Sequence, residues 1–192
     1  HPWNVDFPHL MLRGKAIKFE DGDTRMRDRL LTSTDRVGKL ASIPVVVEAV
    51  NWANRTSAVR AVMDKTLGVA AGTQLPPYSS ARFREHAQRS LAWPVRNGAR
   101  TPGRVAIFAT CYVNYNEPGI GHDLTRILEH NEIPYVLVEQ EACCGMPKLE
   151  LGDFASVEAL KNVNIPVLAR YAREGFAILA PVPSCTLMFK QE

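Results

Sequence analysis

Three short apolar runs constrain this chain more than anything else in it: Val105-Ala106-Ile107-Phe108-Ala109, Tyr135-Val136-Leu137-Val138 and Phe176-Ala177-Ile178-Leu179-Ala180. Each is continuous rather than alternating, which is the pattern of a strand covered on both faces. A helical pattern separates each run from the next, so the segment predicts βαβ units and an α/β fold with a parallel sheet. Strands of a parallel sheet all point one way, and the residues just past their ends collect along one edge, where ligands bind in such folds. The four cysteines of the chain lie at these positions. Cys111 follows the first run, the pair Cys143-Cys144 with Gly145 follows the second, and Cys185 follows the third.

A lone free cysteine is most often a small buried hydrophobe. Four of them past three strand ends point instead to a thiolate site for a thiophilic metal. Soft thiolates select zinc, copper(I) or iron–sulfur clusters, and the residues alone leave that choice open. Gly145 fits a backbone that turns sharply or comes close to a ligand. The stretch Tyr112 to Gly121 reads as a turn-rich loop, followed by a helix over about 118–130 with Leu124, Ile127 and Leu128 on one face. Gly119 and Gly121 lack the remaining residues of a phosphate loop and read as an ordinary turn. A helix over 154–174, kinked at Pro166, carries Val157, Leu160, Val167, Leu168 and Tyr171 inward, and Cys185 heads a last helical stretch.

The first hundred residues read as mainly helical. Phe7, Leu10, Met11, Gly14 and Ile17 fall at helical spacing behind Asp6, a natural N-cap. Further helices are predicted over 23–33, over 35–53 with a bend or delayed start at Pro44, and from Thr56 to about Gly68 with Val59, Val62, Met63 and Leu67 as the apolar face. Residues 69–80 are a Gly/Pro/Ser loop, 81–93 one more helix, and 95–103 a linker into the first strand.

Charge divides the same way. Residues 1–100 hold 16 Lys/Arg against 9 Asp/Glu and residues 101–192 hold 7 against 11, within a formal total of +3. The basic residues are spread along helical patterns, which argues against a nucleic-acid partner. No stretch of about 18 apolar residues is present to span a bilayer, and no signal-peptide pattern opens the chain. Four cysteines, two of them adjacent, suit a reducing cytoplasm better than a secreted disulfide framework. The chain opens at His1-Pro2 and stops at Gln191-Glu192 inside a helical pattern, so it reads as a piece of a longer protein.

His1, His9, His86, His122 and His130 are dispersed, and His122 alone stands near enough to the Cys111 loop for a supporting role. Glu139 and Glu141 read as a solvated strand end. Tyr112 and Tyr115 are placed to pack over a site and exclude water.

Cys111, then Cys143-Cys144-Gly145, then Pro183-Ser184-Cys185 resembles the cysteine-rich CCG module found in heterodisulfide reductase. It resembles most closely the first of two such modules in the iron–sulfur component of anaerobic glycerol-3-phosphate dehydrogenase and its lactate- and glycolate-oxidising relatives. The likeness extends over Cys111-Tyr112-Val113-Asn114-Tyr115-Asn116, Asn51-Trp52-Ala53-Asn54, Leu75-Pro76-Pro77-Tyr78, Arg82-Phe83-Arg84 and the opening His1 to Pro8. The resemblance implies a helical region over residues 1–100 that follows a ferredoxin-like domain, then the first CCG module over 101–192, with a second module beyond it. It implies that Cys111, Cys143, Cys144 and Cys185 bind a [4Fe–4S] cluster, of cubane or non-cubane form, with zinc as the alternative. It also implies an electron-transfer subunit that works with a flavin dehydrogenase subunit on another chain, in the cytoplasm or peripherally at the inner face of the membrane beside a quinone pool. A zinc-stapled docking module and thiol–disulfide chemistry are the other readings. The family motif ends in CxxC; here Cys185-Thr186-Leu187-Met188 supplies one cysteine.

Overall fold

A computed structural model describes residues 6–87 and 103–191. Three strands, β1 (Val105–Ile107), β2 (Tyr135–Leu137) and β3 (Ala177–Leu179), form a parallel sheet of order β2-β1-β3. Val105 stands opposite Tyr135 on one side and Ala177 on the other. The strands fall inside the three apolar runs, and alternation along them sorts the core into two layers. Ala106, Phe108, Val136 and Val138 face one way, with Leu168, Tyr171 and the cysteines Cys143, Cys144 and Cys185. Val105, Ile107, Ala109, Tyr135 and Leu137 face the other, with Phe83, Val113 and Leu128. β1 and β2 are buried throughout. β3 departs from the expectation of double cover: Ile178 is 37% exposed, whereas β2, the other edge strand, is fully covered.

The helices after each strand are α7 (Cys111–Tyr115) and α8 (Pro118–His130), α9 (Met146–Leu151) and α10 (Phe154–Arg173), then α11 (Pro183–Gln191). The stretch after Cys111, expected as a loop, begins with the short helix α7. Its start is fixed by the Thr110 hydroxyl, which accepts from the Val113 amide at 3.3 Å, an N-cap bond that takes up one of the donors a first turn leaves over. Asp153 caps α10 in the same way through the Ser156 amide.

Residues 6–87 carry α1 (Phe7–Glu20), α2 (Met26–Leu31), α3 (Thr34–Ala41), α4 (Pro44–Arg55), α5 (Ser57–Leu67) and the single turn α6 (Phe83–His86). Asp6 caps α1 as expected, accepting from the His9 amide. The segment 35–53 is two helices, because Pro44 opens α4 in its first turn, where its missing N–H costs nothing. Thr56 stands at the cap position of α5 without capping it; its hydroxyl donates back to the Trp52 carbonyl at 2.8 Å. Gly68 closes α5 in the left-handed conformation. Of the helix expected over 81–93 the structure shows α6; residues 88–93 and the expected linker up to 102 lie outside the described residues.

The apolar spacing of these helices was legible, yet several of the faces it marks look outward. Phe7 is 62% exposed, Ile17 60% and Val62 59%. α1 instead docks through its backbone. Gly152 sits at φ +88°, and a Cβ there would meet the carbonyl of Lys15 at 2.6 Å, so this close approach requires glycine. Lys15 and Glu150 close the contact with an ion pair at 2.6 Å.

Candidate metal centre

The four cysteines come together on one side of the sheet, past the strand ends. Cys143, Cys144 and Cys185 are buried in one cluster with Phe108 and Leu168, and Cys111 packs against it. All four thiols are free. They form a row: Cys111 within hydrogen-bonding reach of Cys143, Cys143 of Cys144, and Cys144 of Cys185. Protons divide unevenly along it. Hydrogen bonds from Cys111 and Cys144, then from the Gly145 amide and Thr34, hold the Cys143 thiol far below its ordinary range. The bond from Cys144 likewise lowers Cys185. Cys111 is pushed up by its bond to Cys143 and then by burial, and Cys144 by its bonds to Cys143 and Cys185 and then by burial. Along the row the ionised form, in which sulfur ligates metal, is thus favoured at Cys143 and Cys185 over Cys111 and Cys144.

Each sulfur is placed by its local frame. Gly145 stands at φ +99°, turning the chain directly after Cys143-Cys144 into α9. Asn164, 2% exposed on the inner face of α10, grips the same turn from behind. Its Oδ1 accepts from the Ala142 amide at 2.9 Å, and its Nδ2 donates to the carbonyls of Ala142 at 3.3 Å and Cys143 at 3.0 Å. Replacing Asn164 by Leu leaves those buried groups unpaired and is expected to cost about 1–3 kcal/mol in a denaturant melt.

Glu141 performs the matching task for Cys111. Its carboxylate accepts from the amides of Ala109 at 2.8 Å and Thr110 at 2.6 Å, and from Arg84 Nη1 at 2.8 Å. Arg84 Nη2 in turn donates to the Val138 carbonyl at 2.8 Å. Thr110, the residue before Cys111, is held at φ +68°, a conformation that costs about 1–3 kcal/mol in a non-glycine residue and persists only where its surroundings fix it. The Glu141 side chain is 7% exposed; burial pushes its carboxyl up to about 7 against the downward pull of Arg84 and the two amides. This corrects the reading of Glu141 as a solvated strand end. That reading suits Glu139, which is half exposed and pairs with Arg170 at 3.3 Å.

From the helical region, Thr34 at the start of α3 brings its hydroxyl to 3.4 Å from Cys111 Sγ and 3.6 Å from Cys143 Sγ. Two cavities flank the row. One of about 300 Å³ is lined by Cys111, Cys144 and Cys185 with Tyr78, Tyr112 and Met146. The other, about 330 Å³, is lined by Cys111 and Cys143 with Lys39, Arg82, Arg84 and Glu141.

Residues 105–190 match the family model of the cysteine-rich CCG domain. Residues 105–190 thus resemble a CCG domain. Across the whole chain, the sequence is 30% identical to one of the subunits of anaerobic glycerol-3-phosphate dehydrogenase from Escherichia coli, covering 47% of that protein. It is 28% identical over 51% of the chain to one of the subunits of the CoM/CoB fumarate reductase from Methanothermobacter marburgensis, covering 19% of it. An uncharacterized iron–sulfur protein of Methanocaldococcus jannaschii is 30% identical over 33% of the chain and 13% of its own length. The chain thus spans about half the length of the glycerol-3-phosphate dehydrogenase relative, and no solved structure matches it.

Residues 105–190 offer four sulfur donors, a set that fits an iron–sulfur cluster and also zinc. Among the described residues no three His, Cys, Asp or Glu side chains make a ready single-ion site. Tyr112 lines the cavity at Cys144 and Cys185, as a residue packed over the site would. Tyr115 is buried and lines the other cavity. The His122 ring packs edge-on against Phe83, 5.3 Å between centroids.

Arg84, Asn164 and Thr34 were not singled out from the sequence as frame residues. Asn164 had a signal: it is a polar residue on the apolar face that Leu160, Leu168 and Tyr171 define. Thr34 had none, because 77 residues separate it from Cys111.

Proposed function

We propose that this chain is part of an electron-transfer iron–sulfur subunit, with Cys111, Cys143, Cys144 and Cys185 holding a [4Fe–4S] cluster. The observation that carries the reading is the meeting of four thiols from three separate strand ends, two of them favoured as thiolates, inside a segment that resembles a CCG domain. A bound cluster supplies one-electron chemistry. The protein's share is to supply the thiolates, fix them through Glu141, Asn164 and Gly145, and shield them under Tyr112 and the helical region. Burial of the ligands and hydrogen bonds to their sulfurs are the means by which a protein sets a cluster's potential.

The parent complex in this proposal resembles anaerobic glycerol-3-phosphate dehydrogenase or the lactate- and glycolate-oxidising enzymes. A flavin subunit on another chain oxidises the substrate, and the complete protein has a ferredoxin-like domain before residues 1–100 and a second CCG module after residue 192. The relay ends at a quinone pool, from a peripheral position at the inner membrane face. None of the helices among the described residues is long and apolar enough to cross a membrane.

Redox titration of anaerobically prepared protein tests the relay. The visible charge-transfer absorption should bleach on dithionite addition, a paramagnetic signal should appear, and both should reverse on reoxidation. Protein whose absorption never bleaches, or bleaches irreversibly, is no electron carrier.

A further inference from the structure

We propose that Thr34 is a positioning residue of the sulfur site, its hydroxyl a hydrogen-bond donor shared by Cys111 and Cys143 that raises the reduction potential of the group they hold. The inference rests on the cluster reading above and adds to it a control residue from outside residues 105–190.

The geometry carries it. Thr34 Oγ1 lies 3.4 Å from one sulfur and 3.6 Å from the other, both within reach of a hydroxyl donating to sulfur. Those two sulfurs come from different strand ends, so a single hydroxyl spans the join between them. Its placement is held from two sides. One turn along α3, Gly38 lies flat against the Tyr115 ring of α7, where a Cβ would clash with the ring carbons. Cys111 opens that same α7, so the close α3–α7 approach sets Thr34 over Cys111. On the other side Ser33 accepts from Lys148 Nζ at 3.2 Å, and Lys148 lies in α9, the helix that follows Cys144-Gly145.

The electrostatic consequence has a fixed sign. An added electron raises the negative charge on the ligating sulfurs, and a donor aimed at them stabilises that state more than the oxidised one, so the midpoint rises. Valine keeps the shape of threonine and loses the donor; serine keeps the donor.

The test is a spectroelectrochemical titration of anaerobically prepared wild-type protein, Thr34→Val and Thr34→Ser, with iron content measured on each. The inference predicts a full iron complement in all three, a midpoint shifted to more negative values in Thr34→Val, and a wild-type midpoint in Thr34→Ser. If circular dichroism shows Thr34→Val to be unfolded or it fails to load, Thr34→Ala takes its place and is read in the same way. A loaded donor-less variant with the wild-type midpoint overturns the inference while leaving the cluster reading intact. Wild-type protein that takes up no iron overturns the cluster reading, and the inference with it.

Discussion

Substituting Cys144 by Ser is expected to abolish cluster binding while leaving the fold in place. Cys144 stands between Cys143 and Cys185 in the sulfur row, within hydrogen-bonding reach of both, and it is 6% exposed in the core behind the strand ends. A hydroxyl is a poor ligand for a soft centre, so three thiolates remain where four are needed. The change removes no carbon, and its cost to the protein is that of burying a hydroxyl, about 1–3 kcal/mol. Iron analysis beside a far-ultraviolet circular dichroism spectrum separates the two effects. Full iron retention in Cys144→Ser would show that the ligands have been misassigned.

The largest loss of stability is expected at Glu141. Its carboxylate is the common acceptor for Ala109, Thr110 and Arg84, so Glu141→Ala leaves two buried amides and a half-buried guanidinium without their partner. Removing one member of a buried charge pair costs about 3–5 kcal/mol, more than truncating an exposed ion pair, which is worth about 0–1 kcal/mol. Glu139→Ala, at the exposed pair with Arg170, is the matched control and should stay within about 0.5 kcal/mol of wild type. Chemical denaturation midpoints check both. Equal midpoints for the two variants would mean that Glu141 does not hold the β1 end in place. Because Thr110 is kept at positive φ by the same carboxylate, the Glu141 variant should also bind iron more weakly.

A milder effect is expected at Gly38. Alanine there drives a methyl into the Tyr115 ring and forces α3 off α7, a local overpacking that costs about 1–3 kcal/mol. In thermal melts it should fall between Glu139→Ala and Glu141→Ala.

The βαβ half was legible because its strand signals are local: short unbroken apolar runs, glycine at the turns, and cysteine just beyond each end. The sheet order is not local, and neither is the exposure of β3, since the two edge strands differ in cover: β2 is buried throughout and β3 is not. In the helical half Asp6, Pro44 and Gly68 marked boundaries by chemistry that acts within one turn. The apolar stripes there gave helix existence but not orientation, since Phe7 and Ile17 face outward and α1 docks by its backbone at Gly152. The four sulfur positions were readable from strand logic. Their supports were not, because Glu141 looks like any acidic residue near a strand end until the Ala109 and Thr110 amides, more than thirty positions earlier, are brought beside it. Thr34 is the extreme case: a common residue in an ordinary helix start, given meaning only by the approach of α3 to α7.

The central claim is that Cys111, Cys143, Cys144 and Cys185 hold an iron–sulfur centre, and metal and sulfide analysis of anaerobically purified protein tests it most directly. The account predicts brown protein carrying iron and acid-labile sulfide in equal amounts, both lost in Cys144→Ser. Colourless protein with one zinc per chain and no labile sulfide would contradict it.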